Sequence, residues 1–217
     1  MLTNSDWGGV SKLYPLTDTY RADLEKSVDL NKLDRMGPLS YQHYLYALVR
    51  GLEPKVIVET GVYKGVSSSL IIAAMPPGAH LYSCDPVHYN QEAAARVIQK
   101  ATGAVLSKDV WTFYGEKSKH ALPKIKAEVK EWDMFIHDSD HEEDCMAFEL
   151  AYGWEYLAPN GLLVCDDYLS CVGAKKPHKA LQKFLSSVGI GIKDFTKLGS
   201  AAVIKKPGAN GAAGANA

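Results

Sequence analysis

The chain lacks the features that would send it to a membrane, a polyanion or an oxidising compartment. No apolar run approaches the roughly 20 residues that a membrane helix needs, and the opening Met1-Leu2-Thr3-Asn4-Ser5-Asp6 has no charged-then-apolar leader. The expectation is a soluble, cytoplasmic protein. Lys+Arg number 24 against 25 Asp+Glu, for a formal net charge of −1, so there is no basic surplus for a phosphate backbone and nucleic acid is not expected as a partner. Cysteines are few, namely Cys84, Cys145, Cys165 and Cys171, and none stands in Cys-x-x-Cys spacing. They read as reduced structural thiols, two of them inside strands, rather than as a zinc site or a disulfide framework. Also missing is a Gly-x-Gly-x-x-Gly turn near the N-terminus, which argues against a nicotinamide-dependent oxidoreductase.

What the 217 residues do contain is enough apolar sequence for one sizeable core. Apolar strands are expected near 55–60, 80–85, 109–113, 132–137, 161–166, 190–196 and 200–205. Helical stretches are expected at 66–75, 89–101, 118–129, 142–157 and 174–188. A further helix begins at Ser40 as N-cap, with Tyr44, Leu45, Leu48, Val49 and Leu52 on one face. Alternation of this kind predicts an α/β fold, a Rossmann-like seven-stranded mostly parallel sheet with helices on both faces. Only about 196–199 separates the last two strands, too short for a crossover helix, so the last strand is expected to run antiparallel. Residues 1–38 read as an N-terminal extension with a short helix near 19–28, 39–207 as the main domain, and 208–217 as a low-complexity disordered tail.

The informative motif is Glu59-Thr60-Gly61-Val62-Tyr63-Lys64-Gly65-Val66-Ser67, set between the apolar run Val56-Ile57-Val58 and a helix. Strand, glycine turn and helix start bring backbone amides against a nucleotide-like cofactor. A Glu-x-Gly turn suits one with an amino-acid tail and no pyrophosphate, which favours S-adenosylmethionine. Asp85 closes the next strand and can accept from both ribose hydroxyls. Glu116 and Ser118, after the third strand, are placed to flank the adenine.

Ligands of an open parallel sheet sit beyond the carboxyl ends of its strands, and here those ends are acidic. The fourth ends in Asp138-Ser139-Asp140-His141 and the fifth in Asp166-Asp167. Carboxylates converging there repel by about 4 kcal/mol per pair at ~4 Å and an effective dielectric of about 20, a cost that a divalent cation removes. All-oxygen ligation fits Mg²⁺, with Mn²⁺ or Ca²⁺ as alternatives, and argues against zinc. Neighbours on an extended strand point to opposite faces, so Asp166 and Asp167 reach one ion only if the chain turns there. His141 opens the next helix in the same cleft and could take a proton. His137, inside the strand, reads as a packed, hydrogen-bonded residue.

This combination resembles the class I S-adenosylmethionine-dependent methyltransferases over about 40–206. Glu59-x-Gly61-x-Tyr63-x-Gly65-x-Ser67 is similar to the catechol O-methyltransferase-like branch. Phe135-Ile136-His137-Asp138-Ser139-Asp140-His141 with Leu163-Val164-Cys165-Asp166-Asp167 resembles the small metal-assisted enzymes that act on sugars and other natural products. The resemblance implies cofactor contacts at Glu59, Gly61, Tyr63, Gly65, Ser67, Asp85, Glu116, Ser118 and Asp138. It also implies Mg²⁺ ligands at Asp138, Asp166 and Asp167, and catalytic roles for His141 as general base and for Asp138. A histidine in place of the catechol enzymes' lysine, and Asp167 where they commonly carry Asn, point away from a catechol. The expected reaction is O-methylation of a small-molecule hydroxyl on a sugar, macrolide or other natural product, with 1–38 as a substrate lid. A metal-independent methyltransferase and a non-catalytic S-adenosylmethionine-binding subunit are the alternatives. Oligomeric state is left open, a homo-oligomer included.

Overall fold

The computed structural model describes residues 23–24, 26–33, 42–86, 91–168, 178–191 and 194–208. Seven strands form one sheet: β1 (Val56–Thr60), β2 (His80–Cys84), β3 (Trp111–Tyr114), β4 (Trp132–His137), β5 (Leu157–Cys165), β6 (Thr196–Leu198) and β7 (Ala201–Lys205). Their order is β3-β2-β1-β4-β5-β7-β6, and β7 alone runs against its neighbours. The helices are α1 (Gln42–Leu52), α2 (Val66–Ala74), α3 (Gln91–Thr102), α4 (Ser118–Glu128), α5 (Glu143–Tyr156) and α6 (Lys179–Ser187). This is the Rossmann-like architecture the alternation predicts. The order reverses between β1 and β4, and ligands of open α/β sheets bind at such a switch point.

Strand periodicity decides the layers. Along β1, Ile57 faces the core under α1, α2 and α3, with Leu81, Met134, Ile136, Leu162 and Val164. Val58 faces the other way, with Phe135, Leu163, Leu150, Leu181 and Phe184, beneath α4, α5 and α6. Both faces are covered, so β1 is apolar without interruption until Glu59. Each such buried Leu, Ile or Phe contributes about 1.5–3 kcal/mol. Leu24, Val28 and Leu33 join the first core, and Asp29 N donates to Ala101 O at 2.7 Å. The described part of the N-terminal segment is therefore packed on the domain.

Several boundaries differ from expectation. β3 starts at Trp111 because Ser107 O receives both Val110 N and Trp111 N, a turn that uses residues expected in the strand. β5 starts four residues early, at Leu157 opposite Trp132, and its register shifts before Met134 pairs Leu162. β6 is Thr196–Leu198 rather than 190–196, since Ile190 N and Asp194 N close local turns instead of pairing with the sheet. Ser40, residues 174–177 and the tail beyond Gly208 lie outside the described residues.

Candidate active site

The turn after β1 is built around a buried acid. Glu59 is fully buried, and its carboxylate accepts from Ser67 Oγ at 2.6 Å, Ser68 Oγ at 2.7 Å and Ser83 Oγ at 2.8 Å. Ser67 and Ser68 open α2, so Glu59 ties the start of that helix to β1 and β2. Burial pushes the Glu59 carboxyl up, and the three hydroxyls only partly offset it. Glu59 and Ser67, expected at the cofactor, are hydrogen-bonded to each other. Gly61 has φ +84, and a Cβ there would lie 1.9 Å from Asp138 O. Only glycine lets the β1 turn and the end of β4 close on one another. Gly65, φ +79, caps α2 in the left-handed region, and Tyr63 is exposed between them with φ 46.

Asp85, 6 % exposed at the end of β2, accepts on Oδ2 from Val62 N at 2.7 Å and Tyr63 N at 2.8 Å. One carboxylate oxygen therefore braces the glycine turn, leaving Oδ1 outside those two bonds. Beside it opens a cavity of about 390 Å³ lined by Cys84, Pro86, Ser118, Ser139, Cys145 and Phe148, among others. Ser118 reaches the cavity from the first position of α4. Glu116 does not line it, and its Oε1 accepts from Lys124 Nζ at 2.6 Å.

At the ends of β4 and β5 the chain gathers Asp138, His141 and Asp166, with one ligand atom from each within 4.8 Å of the others. Asp166 is 7 % exposed, and burial pushes its carboxyl up while hydrogen bonds from Ser200 Oγ and the Asp167 backbone partly offset it. Asp167 is not in that group. Its backbone turns to φ 46, and Asp167 Oδ2 lies 3.3 Å from His141 Nδ1. The chain leaves β5 at Cys165, and the left-handed turn at Asp167 brings its carboxylate to the imidazole. His141 Nε2 is buried without a hydrogen-bond partner among the described residues.

The family model for a methyltransferase domain matches residues 58–168, just over half of the chain. The chain belongs to that methyltransferase family. No curated protein matches it. Solved structures with the same fold include the O-methyltransferase of Bacillus cereus in complex with S-adenosylhomocysteine, 14% identical over 93% of this chain and 96% of that one, TM-score 0.61. Another is TomG of Streptomyces achromogenes, an O-methyltransferase involved in tomaymycin synthesis and solved with S-adenosylmethionine. It is 16% identical over 95% of this chain and 100% of that one, TM-score 0.61. A methyltransferase from Geobacter sulfurreducens is 21% identical over 95% of this chain and 98% of that one, TM-score 0.58.

Under the crevice of this methyltransferase lies a polar network that the sequence reading missed. Glu149 of α5 is fully buried and accepts from His137 Nδ1 at 2.6 Å, Ser139 Oγ at 2.6 Å, Cys145 Sγ at 3.4 Å and Thr60 Oγ1. Burial alone would push its carboxyl up, yet the bonds from His137, Ser118 and Ser139 hold it below the usual range. Ser118, Ser139 and Cys145 line the cavity, and the His137 ring meets that of His141 edge-on with centroids 5.5 Å apart. Glu149 thus joins the cavity wall to the acidic cluster. The expected packing of His137 holds, and its partner is the acid on the next helix. Cys84 and Cys165 are buried free thiols, pushed up by burial, and Cys145 is free as well, pushed up to about 11.

Proposed function

We propose that this methyltransferase transfers the methyl group of S-adenosylmethionine to a hydroxyl oxygen of a small molecule, with a divalent cation held at the ends of β4 and β5. The observation that carries this reading is contiguity. The Gly61 turn abuts the Asp138 backbone at the switch point of the sheet, which supports a reading in which the cofactor turn and the acidic cluster act on one substrate. The solved methyltransferases of the same fold that hold S-adenosylmethionine or S-adenosylhomocysteine support the choice of cofactor.

The adenosine would lie in the cavity beside Ser118 and Phe148, with a ribose hydroxyl on Asp85 Oδ1. Tyr63 and Gly65 border the same turn and would face the cofactor's amino-acid end. S-Adenosylmethionine supplies an electrophilic methyl group and a neutral thioether as leaving group. The residues fit a cation: two carboxylates held together at a buried strand end, and an imidazole nitrogen with no partner. Such an ion supplies positive charge that lowers the pKa of an acceptor hydroxyl. Asp138, His141 and Asp167 form the notch that receives the acceptor's proton and holds its oxygen in line with the methyl group. Alignment of this kind is worth about 7–11 kcal/mol. Residues 1–38 are proposed to add acceptor contacts, since acceptor-binding groups commonly come from loops and extensions.

Methyl-labelled S-adenosylmethionine incubated with a panel of hydroxylated sugars and macrolides tests the reading. Label should appear in an acceptor with equal release of S-adenosylhomocysteine. A folded protein that binds neither S-adenosylmethionine nor S-adenosylhomocysteine would overturn it.

A further inference from the structure

Ser118, Ser139 and Cys145 line one cavity, and all three are bonded to the same buried acid. Glu149 accepts on Oε1 from Ser139 Oγ at 2.6 Å and Cys145 Sγ at 3.4 Å, while Oε2 takes His137 Nδ1 at 2.6 Å and Thr60 Oγ1 at 2.5 Å. Ser118 is a further donor, among the bonds that hold this carboxyl below the usual range. A carboxylate offers lone pairs on both oxygens and has no hydrogen to give back. Here those lone pairs are taken by donors from three sides.

The consequence falls on the cavity wall. A serine hydroxyl carries a single hydrogen, so once Ser118 and Ser139 have turned theirs to Glu149, what they have left for a ligand is lone pairs. The Cys145 thiol, pushed up to about 11 by burial and by Glu149, keeps its hydrogen and directs it the same way. Unconstrained hydroxyls would donate or accept as a ligand required. These hydroxyls cannot turn round without stripping a fully buried carboxylate of a bond.

We infer that Glu149 is a positioning residue that sets cofactor specificity: by fixing the hydroxyls of Ser118 and Ser139 as acceptors, it makes the cavity select a base whose edge donates, as the amino group of adenine does, over one with a carbonyl in that place. The inference rests on the proposed function for the placing of the base in this cavity, and it gives the buried acid of α5 a task beyond packing. Phe148 and Pro86, which also line the cavity, are apolar and sort bases by shape. Telling an amino group from a carbonyl takes fixed polarity, and a wall built to bond one rejects its replacement.

The test is calorimetry on the full chain with S-adenosylhomocysteine and with S-inosylhomocysteine, whose base has a carbonyl in place of the amino group. The unaltered protein should bind the first about 10–100-fold more tightly, the scale for a hydrogen bond lost and an acceptor left facing another. Glu149→Gln keeps the shape but brings an amide that donates, which frees a hydroxyl to turn its hydrogen into the cavity. The ratio of the two affinities should then fall by about 10-fold. A role in packing alone weakens both ligands by one common factor, so an unchanged ratio would overturn the inference. Ser118→Ala combined with Ser139→Ala decides the matter if Glu149→Gln does not fold, because it keeps the acid and removes the acceptors. Here too the ratio should fall, and an unaltered one would count against the assignment. Equal binding of both compounds by the unaltered protein removes the inference and leaves methyl transfer standing, whereas binding of neither removes the proposed function.

Discussion

Two glutamates among the described residues are fully buried, and their surroundings drive them in opposite directions. Glu59 sits among three serine hydroxyls, which do not match the cost of removing its charge from water, and its carboxyl is pushed up. Glu149 suffers the same burial but faces the His137 imidazole and further hydroxyls, and its carboxyl is held down. A set of neutral donors suffices to shape a turn. Keeping a carboxylate charged beneath an active site takes a stronger partner. The first acid braces the turn after β1, and the second ties the cavity wall to the acidic cluster.

The largest effect should come from breaking the second of these. Glu149→Ala leaves His137 Nδ1 without its acceptor in the core and removes the bonds from Ser139 and Thr60, of which Thr60 keeps Ile136 O. Denaturant unfolding should show a loss of about 3 kcal/mol, because each buried donor left unsatisfied costs about 1–3 kcal/mol. Next is Gly61→Ala, where the added methyl meets Asp138 O and the backbone is held at φ +84. Backbone strain there costs about 1–3 kcal/mol, and displacing the end of β4 by ~1 Å should lower turnover about 100-fold. Both are readable, one by unfolding and one by kinetics.

Glu59→Gln should be mild, within about 1 kcal/mol near neutral pH, because neutral partners can re-pair with an amide. The comparison sharpens in the pH dependence of stability. Glu59 has a raised carboxyl in the fold, so above the ordinary value of about 4.5 the native state holds more protons than the unfolded chain. Its contribution is present at low pH and declines as pH rises through that raised value. Glu149 is lowered, so its contribution is present above about 4.5 and is lost as pH falls towards the folded value. Glu59→Gln should flatten the falling limb of the stability profile, and Glu149→Gln the rising limb. Identical profiles for the two variants would erase the distinction between the acids.

Much of the fold was legible because parallel strands buried on both faces read as apolar runs, and the short gap before β7 forced its reversal. Boundaries failed where local turns captured backbone donors, as at Ser107 before β3 and at Ile190 before β6. Within the site, position along a strand indicated which acids reach the crevice but not what each one bonds. Glu59 and Ser67 were expected at the cofactor, and the hydrogen bond between them was not foreseen. Asp167 was expected beside Asp166 on one ion, and the backbone turn carries it to His141. Glu149 went unseen because one acid in a helix is usually solvated. The signal was its spacing: three residues after Met146 it falls on the stripe that enters the core, and His137 is a second polar residue inside a buried strand. Two such anomalies on packed elements are candidates for one another.

The β1 turn and the acidic ends of β4 and β5 are proposed to act together in methyl transfer. A crystal structure with S-adenosylhomocysteine and Mn²⁺ tests it most directly. Adenine is expected in the cavity between Ser118 and Phe148, ribose on Asp85, and the sulfur facing the cluster of Asp138, His141 and Asp166. Cofactor bound away from the Gly61 turn, or a sulfur facing away from Asp138, would contradict it.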